Sequence, residues 1–419
     1  MTITNKILGQ ITVDSLVETP GIEKLGFAAV SYDSSTAAYS TDAITWTQTT
    51  MPASVAWDSV TYGDGTFAAV AYPNTAAYST NGITWTQTTL PTSPIGDWQS
   101  VTYGDGKFVS VTGDHLTFAT DSIAAYSTDG ITWTETTMPA ASVWISVTYG
   151  DGKFFSLSYY YSNAAYSTDA ITWTQTTMPA SVGWKSVTYG DGKFVAVAGA
   201  FSPINTAAYS TDAITWTPTT MPTSATWVSA IYGNGTFAAV SGGYQSSNTA
   251  AYSTNGITWT QTTLPASANW NSVTYGDGKF VAVVKNSTTT AYSTDAITWT
   301  QTTLPASADW RSVTYGENDI IISTYDPKTI YTVPANTETI VTSIFVSNTS
   351  ASSDTYDFAV VPSGETFSDK HKIRYNISMP SNDFNIIDAK LTLSEGDSLV
   401  ALSNGVDKLN ITVFGTEIS

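Results

Sequence analysis

The chain has 419 residues and a formal net charge of −19, with 34 acidic residues against 15 Lys and Arg. Such a surface repels nucleic acid and anionic membrane, so neither is expected as a partner. Cysteine is absent, which excludes a disulfide framework and thiolate metal sites, and no apolar run reaches the length expected of an export signal or a membrane span.

Residues 1–19 begin with an alternating run, TITNKILGQITV, that reads as one strand. From about residue 20 to residue 325 the chain repeats itself. All 14 tryptophans fall into two series of seven. One sits in the phrase ITWT: Trp46, Trp85, Trp133, Trp173, Trp216, Trp259 and Trp299. The other opens W-x-S-V-T-Y-G or a variant: Trp57, Trp98, Trp144, Trp184, Trp227, Trp270 and Trp310. Successive members lie 39 to 48 residues apart, the period of a four-stranded propeller blade.

Each unit reads as four strands: A (WDSVTYG, residues 57–63), B (TFAAVA, 66–71), C (TAAYST, 75–80) and D (ITWTQT, 83–88). Strand B is nearly all apolar, as a strand covered on both faces should be. The A–B link is Gly-Asp-Gly, a hairpin turn whose positive φ angles suit Asp-Gly. Phrases A, C and D occur seven times and phrase B eight, at residues 26–31 and again at 319–324. The array thus starts mid-blade, and the last strand A (310–316) must join the first B-C-D set (26–49). That closes a seven-bladed ring without a covalent link and removes its sheet edges. Which B phrase fills the last place stays open; the Phe-Ala-Ala-Val character of residues 26–31 favours the first.

Residues 326–419 contain no tryptophan and read as about seven alternating runs, from TIYTV to KLNITVFG, separated by turn signals such as Pro-Ser-Gly. The expected fold class is therefore all-β: a seven-bladed β-propeller plus a small antiparallel β-sandwich, jelly-roll-like, with the first strand pairing into the sandwich. The propeller is then an insertion in a sandwich loop. Both crossings fall on the A–B and C–D turn face, so the sandwich is expected there.

Two resemblances follow from these phrases. Residues 127–133, STDGITW, resemble the Asp-box of sialidase-like bacterial and phage propellers with one residue fewer, and Ala replaces the Gly in four copies, as at Ala43. In that group the box is a structural turn. Residues 6–10 (KILGQ) and 331–337 (YTVPANT) resemble a module of tailed-phage virion proteins. That resemblance implies a structural protein on the exterior of the viral particle, present in many copies and bound to other virion proteins through the sandwich. The low charge, 12% of residues, suits an exposed, protease-resistant particle protein.

Enzyme chemistry finds little support in the residues. A sialidase resembles its relatives in a three-arginine clamp, and this chain has only Arg311 and Arg374. A glycosidase needs a carboxylate pair at a defined separation, but the blade glutamates are Glu135 and Glu317 alone, and nearly all aspartates are repeated turn residues. Asp114 and Asp121, in one long loop, are the exceptions. His115 and His371 form no pair for zinc. No cofactor, metal or catalytic residue is expected.

The copies differ most between strands B and C, at residues 71–74, 112–122, 158–163, 199–205, 242–248 and 285–288. In antiparallel blades the B–C and D–A loops share one face. Candidate ligand contacts there are Tyr159, Tyr160, Tyr161, Phe201, Tyr244 and His115, by stacking on a sugar or packing on a protein. The bland alternative is loop variation with aromatics covering the blade tops. The function expected is a virion structural protein that displays its propeller for attachment to a host cell-surface glycan or protein. A non-receptor decoration protein is the alternative, and a polysaccharide hydrolase the third reading.

Overall fold

A computed structural model describes residues 3–13, 25–94, 97–113, 120–199, 203–243, 245–316, 328–348, 354–365, 371–380, 382–403 and 409–419. The chain divides into two units, residues 23–319 and residues 1–22 with 320–419.

The first unit is a seven-bladed propeller. Blades three to six are separate four-stranded antiparallel sheets. Blade four, for example, runs Trp144–Gly150, Lys153–Ser158, Asn163–Ser167 and Thr174–Thr177. Two long strands, Thr47–Gly63 and Thr300–Tyr315, pass from strand D of one blade into strand A of the next. They join blades seven, one and two into a single ten-stranded sheet. Blade one takes its strand A from the far end of the array: Phe27 pairs with Tyr315, Ala29 with Val313 and Ser31 with Trp310. The strand that completes the ring is therefore Phe27–Tyr32. The competing phrase at 319–324 lies outside the described residues.

Three repeated contacts hold blade to blade. First, each strand A serine accepts the amide of the following blade's strand A. Val101 donates to Ser59, Val147 to Ser100, Val187 to Ser146, Ala230 to Ser186, Val273 to Ser229 and Val313 to Ser272, all at 3.1–3.3 Å. Val60 donates to Ser312 at 3.1 Å and completes the circle. Second, a strand D threonine donates to the isoleucine carbonyl of the next Asp-box, from Thr88 to Ile131 through Thr302 to Ile44. Third, the glycine ending strand A abuts the tyrosine ring of the next blade. A Cβ on Gly150 would stand 2.0 Å from Tyr189 Cγ, so no other residue fits the approach. At the closing seam Gly316 meets Phe67 and Tyr62 instead.

The strand A tryptophans are the largest fully buried side chains, and six of the seven donate Nε1–H to a carbonyl four residues back, as Trp184 does to Ala180. Trp98 donates to Asn74 Oδ1 instead. Truncating one such side chain to Ala costs about 3–5 kcal/mol.

In the second unit the strands, counted along the chain, are Ile3–Val13, Lys328–Thr332, Glu338–Asn348, Asp354–Val361, Lys372–Met379, Asp383–Leu393, Ser398–Ser403 and Leu409–Ile418. They form two sheets of order 1-8-3-6 and 2-7-4-5, the double-sheet arrangement of a jelly roll. The first strand pairs antiparallel with the last, from Ile3 opposite Ile418 to Val13 opposite Leu409. The propeller is thus inserted between strands one and two of the jelly roll. Alternation places Val341, Ile344, Val346, Ile411 and Val413 in the core with Tyr356, Phe358 and Leu399. The opposite face of the same sheet carries Phe345 stacked on Phe384, and Ile386, 62% exposed.

Candidate functional site

The repeated polar residues are spent on turns. Asp64 and Gly65 both have positive φ (45° and 76°), a type I′ hairpin, and Asp105, Asp151, Asp191 and Asp277 repeat it. In the Asp-box, Asp169 Oδ1 accepts from the amides of Ile171 and Thr172 and from Ser167 Oγ. Those amides hold the Asp169 carboxyl down at about 2. Asn81 and Asn255 make the same bonds in blades two and six. Ala43, Ala170, Ala213 and Ala296 keep the left-handed conformation of the glycine they replace, with φ of 61–66°. Asp121 is buried and accepts from Ser93 Oγ, a link between loops. Asp114 and Glu317 lie outside the described residues.

The B–C and D–A segments meet on one face, as the antiparallel order requires. Tyr159 N donates to Val143 O, Gly199 N to Gly183 O, Gly242 N to Thr226 O and Lys285 N to Asn269 O. Of the six loop residues singled out from the sequence, His115, Phe201 and Tyr244 lie outside the described residues. Tyr161 is 64% exposed with φ of 71°, and Tyr160 is half-buried. Tyr159 is fully buried, its ring at right angles to that of Tyr160 at 4.4 Å. It therefore offers no face to solvent. It forms a platform for Lys185, whose Nζ lies 4.3 Å from the ring centroid.

Lys185 leads to a feature that loop reading misses. The seven A strands form the innermost ring, and the residue after each strand A tryptophan lines one cavity of ≈130 Å³ on the ring axis. In blade order these belt residues are Arg311, Asp58, Gln99, Ile145, Lys185, Val228 and Asn271. Thr226, Gly243 and Lys285 from the loops complete the lining. The volume holds roughly ten water-sized positions, the scale of one monosaccharide. In an otherwise uniform phrase, W-x-S-V, the x is different in all seven copies.

The belt concentrates charge. Seven Lys and Arg lie within residues 25–316. Four are turn lysines (Lys107, Lys153, Lys193 and Lys279), each within 4.0 Å of its turn aspartate. The other three, Lys185, Lys285 and Arg311, all line the cavity. Arg311 pairs with Asp309 at 3.1 Å and lies 4.1 Å over the Tyr32 ring; Asn271 Nδ2 donates to its carbonyl at 2.7 Å. Burial, with Lys285 and Arg311 nearby, brings Lys185 down to about 7. Burial and then Arg311 bring Lys285 to about 8. Burial and then Asp97 push the Asp58 carboxyl well above its usual range. Asp58 Oδ2, Asp309 Oδ1 and Arg311 Nε are buried without a hydrogen-bond partner among the described residues. Titratable groups so perturbed, gathered in one cavity, make it the candidate site.

No family model matches the chain, and no curated protein does. Among solved structures, the propeller is similar to virginiamycin B lyase from Staphylococcus aureus, with 16% identity and a TM-score of 0.52 over 60% of this chain and 85% of that one. A streptogramin B lyase is similar with 13% identity and a TM-score of 0.55 over 70% and 93%. A likeness at this identity establishes the propeller fold, and the function has to be read from the site.

Proposed function

We propose that this chain is a phage virion protein that displays its propeller for attachment to the host surface, binding a ligand at the channel mouth, while the jelly roll fixes it to the particle. The observation that carries the reading is that the belt position, inside the repeated W-x-S-V phrase, holds a different residue in every one of the seven copies. A purely structural ring has no use for seven different residues, three desolvated cations among the whole lining, in one cavity. The KILGQ and YTVPANT phrases support a place on a virion, as does the jelly roll, an architecture shared by capsid and lectin domains. Many copies on one particle would raise weak binding per copy to useful avidity. Immunogold labelling of purified particles, paired with competition of adsorption by the free protein, tests this. Label on the particle exterior and reduced adsorption are expected; label without competition would favour a decoration protein, and no label would overturn the assignment to the virion.

A further inference from the structure

We infer that the channel mouth takes an acidic sugar unit, a ligand with one anionic group on a hydroxylated frame. This rests on the reading that the cavity binds ligand, and not on where the protein sits on a particle. In a chain of net charge −19, all three cations of the described propeller that are not turn lysines line this cavity. Arg311 already has Asp309. Lys185 makes no salt bridge and no hydrogen bond among the described residues; its ammonium lies over the Tyr159 ring, and Asp58 acts on it only at longer range across the cavity. A half-buried ammonium so placed is stabilised in its charged form when a ligand supplies the anion. The rest of the lining fits the frame. Asn271 Oδ1 and the Thr226 hydroxyl are polar groups of the lining that suit sugar hydroxyls, and Ile145 and Val228 add apolar surface for a ring face.

The probes are glucuronate, glucose 6-phosphate and glucose, titrated calorimetrically into the full chain. Binding of glucuronate, of the phosphate ester, or of both, about tenfold or more tighter than glucose, is expected; which of the two binds identifies carboxylate or phosphate as the source of the anion. Lys185→Met with Lys285→Met should weaken the acidic ligand about tenfold or more without lowering the thermal midpoint, because apolar residues replace desolvated charges. Lys185→Arg should retain binding. Glucuronate affinity should fall as pH rises from about 6 to about 9, as the two ammonium groups lose their protons. The other charged or titratable groups there are Asp58, Asp97, Asp309, Tyr32 and Arg311, and loss of the Asp58 proton acts in the same direction. Equal binding of glucose, no binding of any probe, or undiminished binding by the double Met variant would overturn the inference. Loss of adsorption competition with intact sugar binding would instead remove only the attachment role.

Discussion

Gly150 and Gly130 look interchangeable in the repeat and are not. Gly150 ends a strand A with its Cα against the Tyr189 ring, where a Cβ would come within 2.0 Å of Cγ. Gly130 sits in the Asp-box at φ of 72°, and a Cβ there would meet Thr66 Cγ2 and Phe108 at 3.2–3.3 Å, a gap that small shifts can open. Four sister blades accept Ala in that conformation. Chemical denaturation of Gly130→Ala should show a loss of about 1 kcal/mol, the left-handed penalty, whereas Gly150→Ala should lose about 3 kcal/mol or more by overpacking. Equal losses would contradict the Gly–Tyr seam. The box aspartates set an acid limit. Asp169 has a folded value of about 2, below the ordinary carboxylate value, and the Thr215 amide lowers Asp212 in the same way. Their stabilisation is present above the unfolded value and is lost as pH falls through 3.8 toward 2. Asp169→Asn with Asp212→Asn should flatten the fall of the denaturation midpoint over that range, since Asn81 and Asn255 make the same bonds without titrating.

At the scale of the strand, closure depends on one non-covalent join. Val60 N to Ser312 Oγ is the same bond as Val147 N to Ser100 Oγ, but only the first crosses the seam between chain ends. Ser312→Ala and Ser100→Ala should each cost about 1–3 kcal/mol by leaving a buried amide unpaired. Urea midpoints measure this, and a Ser312→Ala without effect beside a destabilised Ser100→Ala would mean that the Val60–Ser312 bond is not made in solution. Strand count, turn type and the seam partner were legible in the sequence because the period of about forty residues, the Asp-Gly turns and the Phe-Ala-Ala-Val phrase are local signals. The jelly-roll order was not, because alternation shows that a strand has two faces and not which strand lies beside it. The belt was legible in principle. Aligning the copies on Trp57, Trp98, Trp144 and their equivalents exposes one position occupied by Asp, Gln, Ile, Lys, Val, Asn and Arg. It is inconspicuous because a single variable residue inside a constant phrase does not change the length of the repeat. The run Tyr159–Tyr161 looks uniform in the sequence, yet Tyr159 has 0% exposure and Tyr161 64%, a difference set by packing that the run itself does not encode.

For the whole propeller, sevenfold regularity acts as a frame that leaves individuality to the B–C loops and to the belt. Two hydrogen-bonded circles run through all seven blades and the glycine–tyrosine seam through six of the seven junctions, so a change in the belt leaves the frame's contacts intact. On the proposed reading, single substitutions at the seven belt positions would change the ligand without rebuilding a blade. The most direct test is adsorption of particles carrying Lys185→Met and Lys285→Met, compared with wild-type particles of equal protein content. The account predicts particles that assemble normally and adsorb poorly. Normal adsorption by those particles would contradict it.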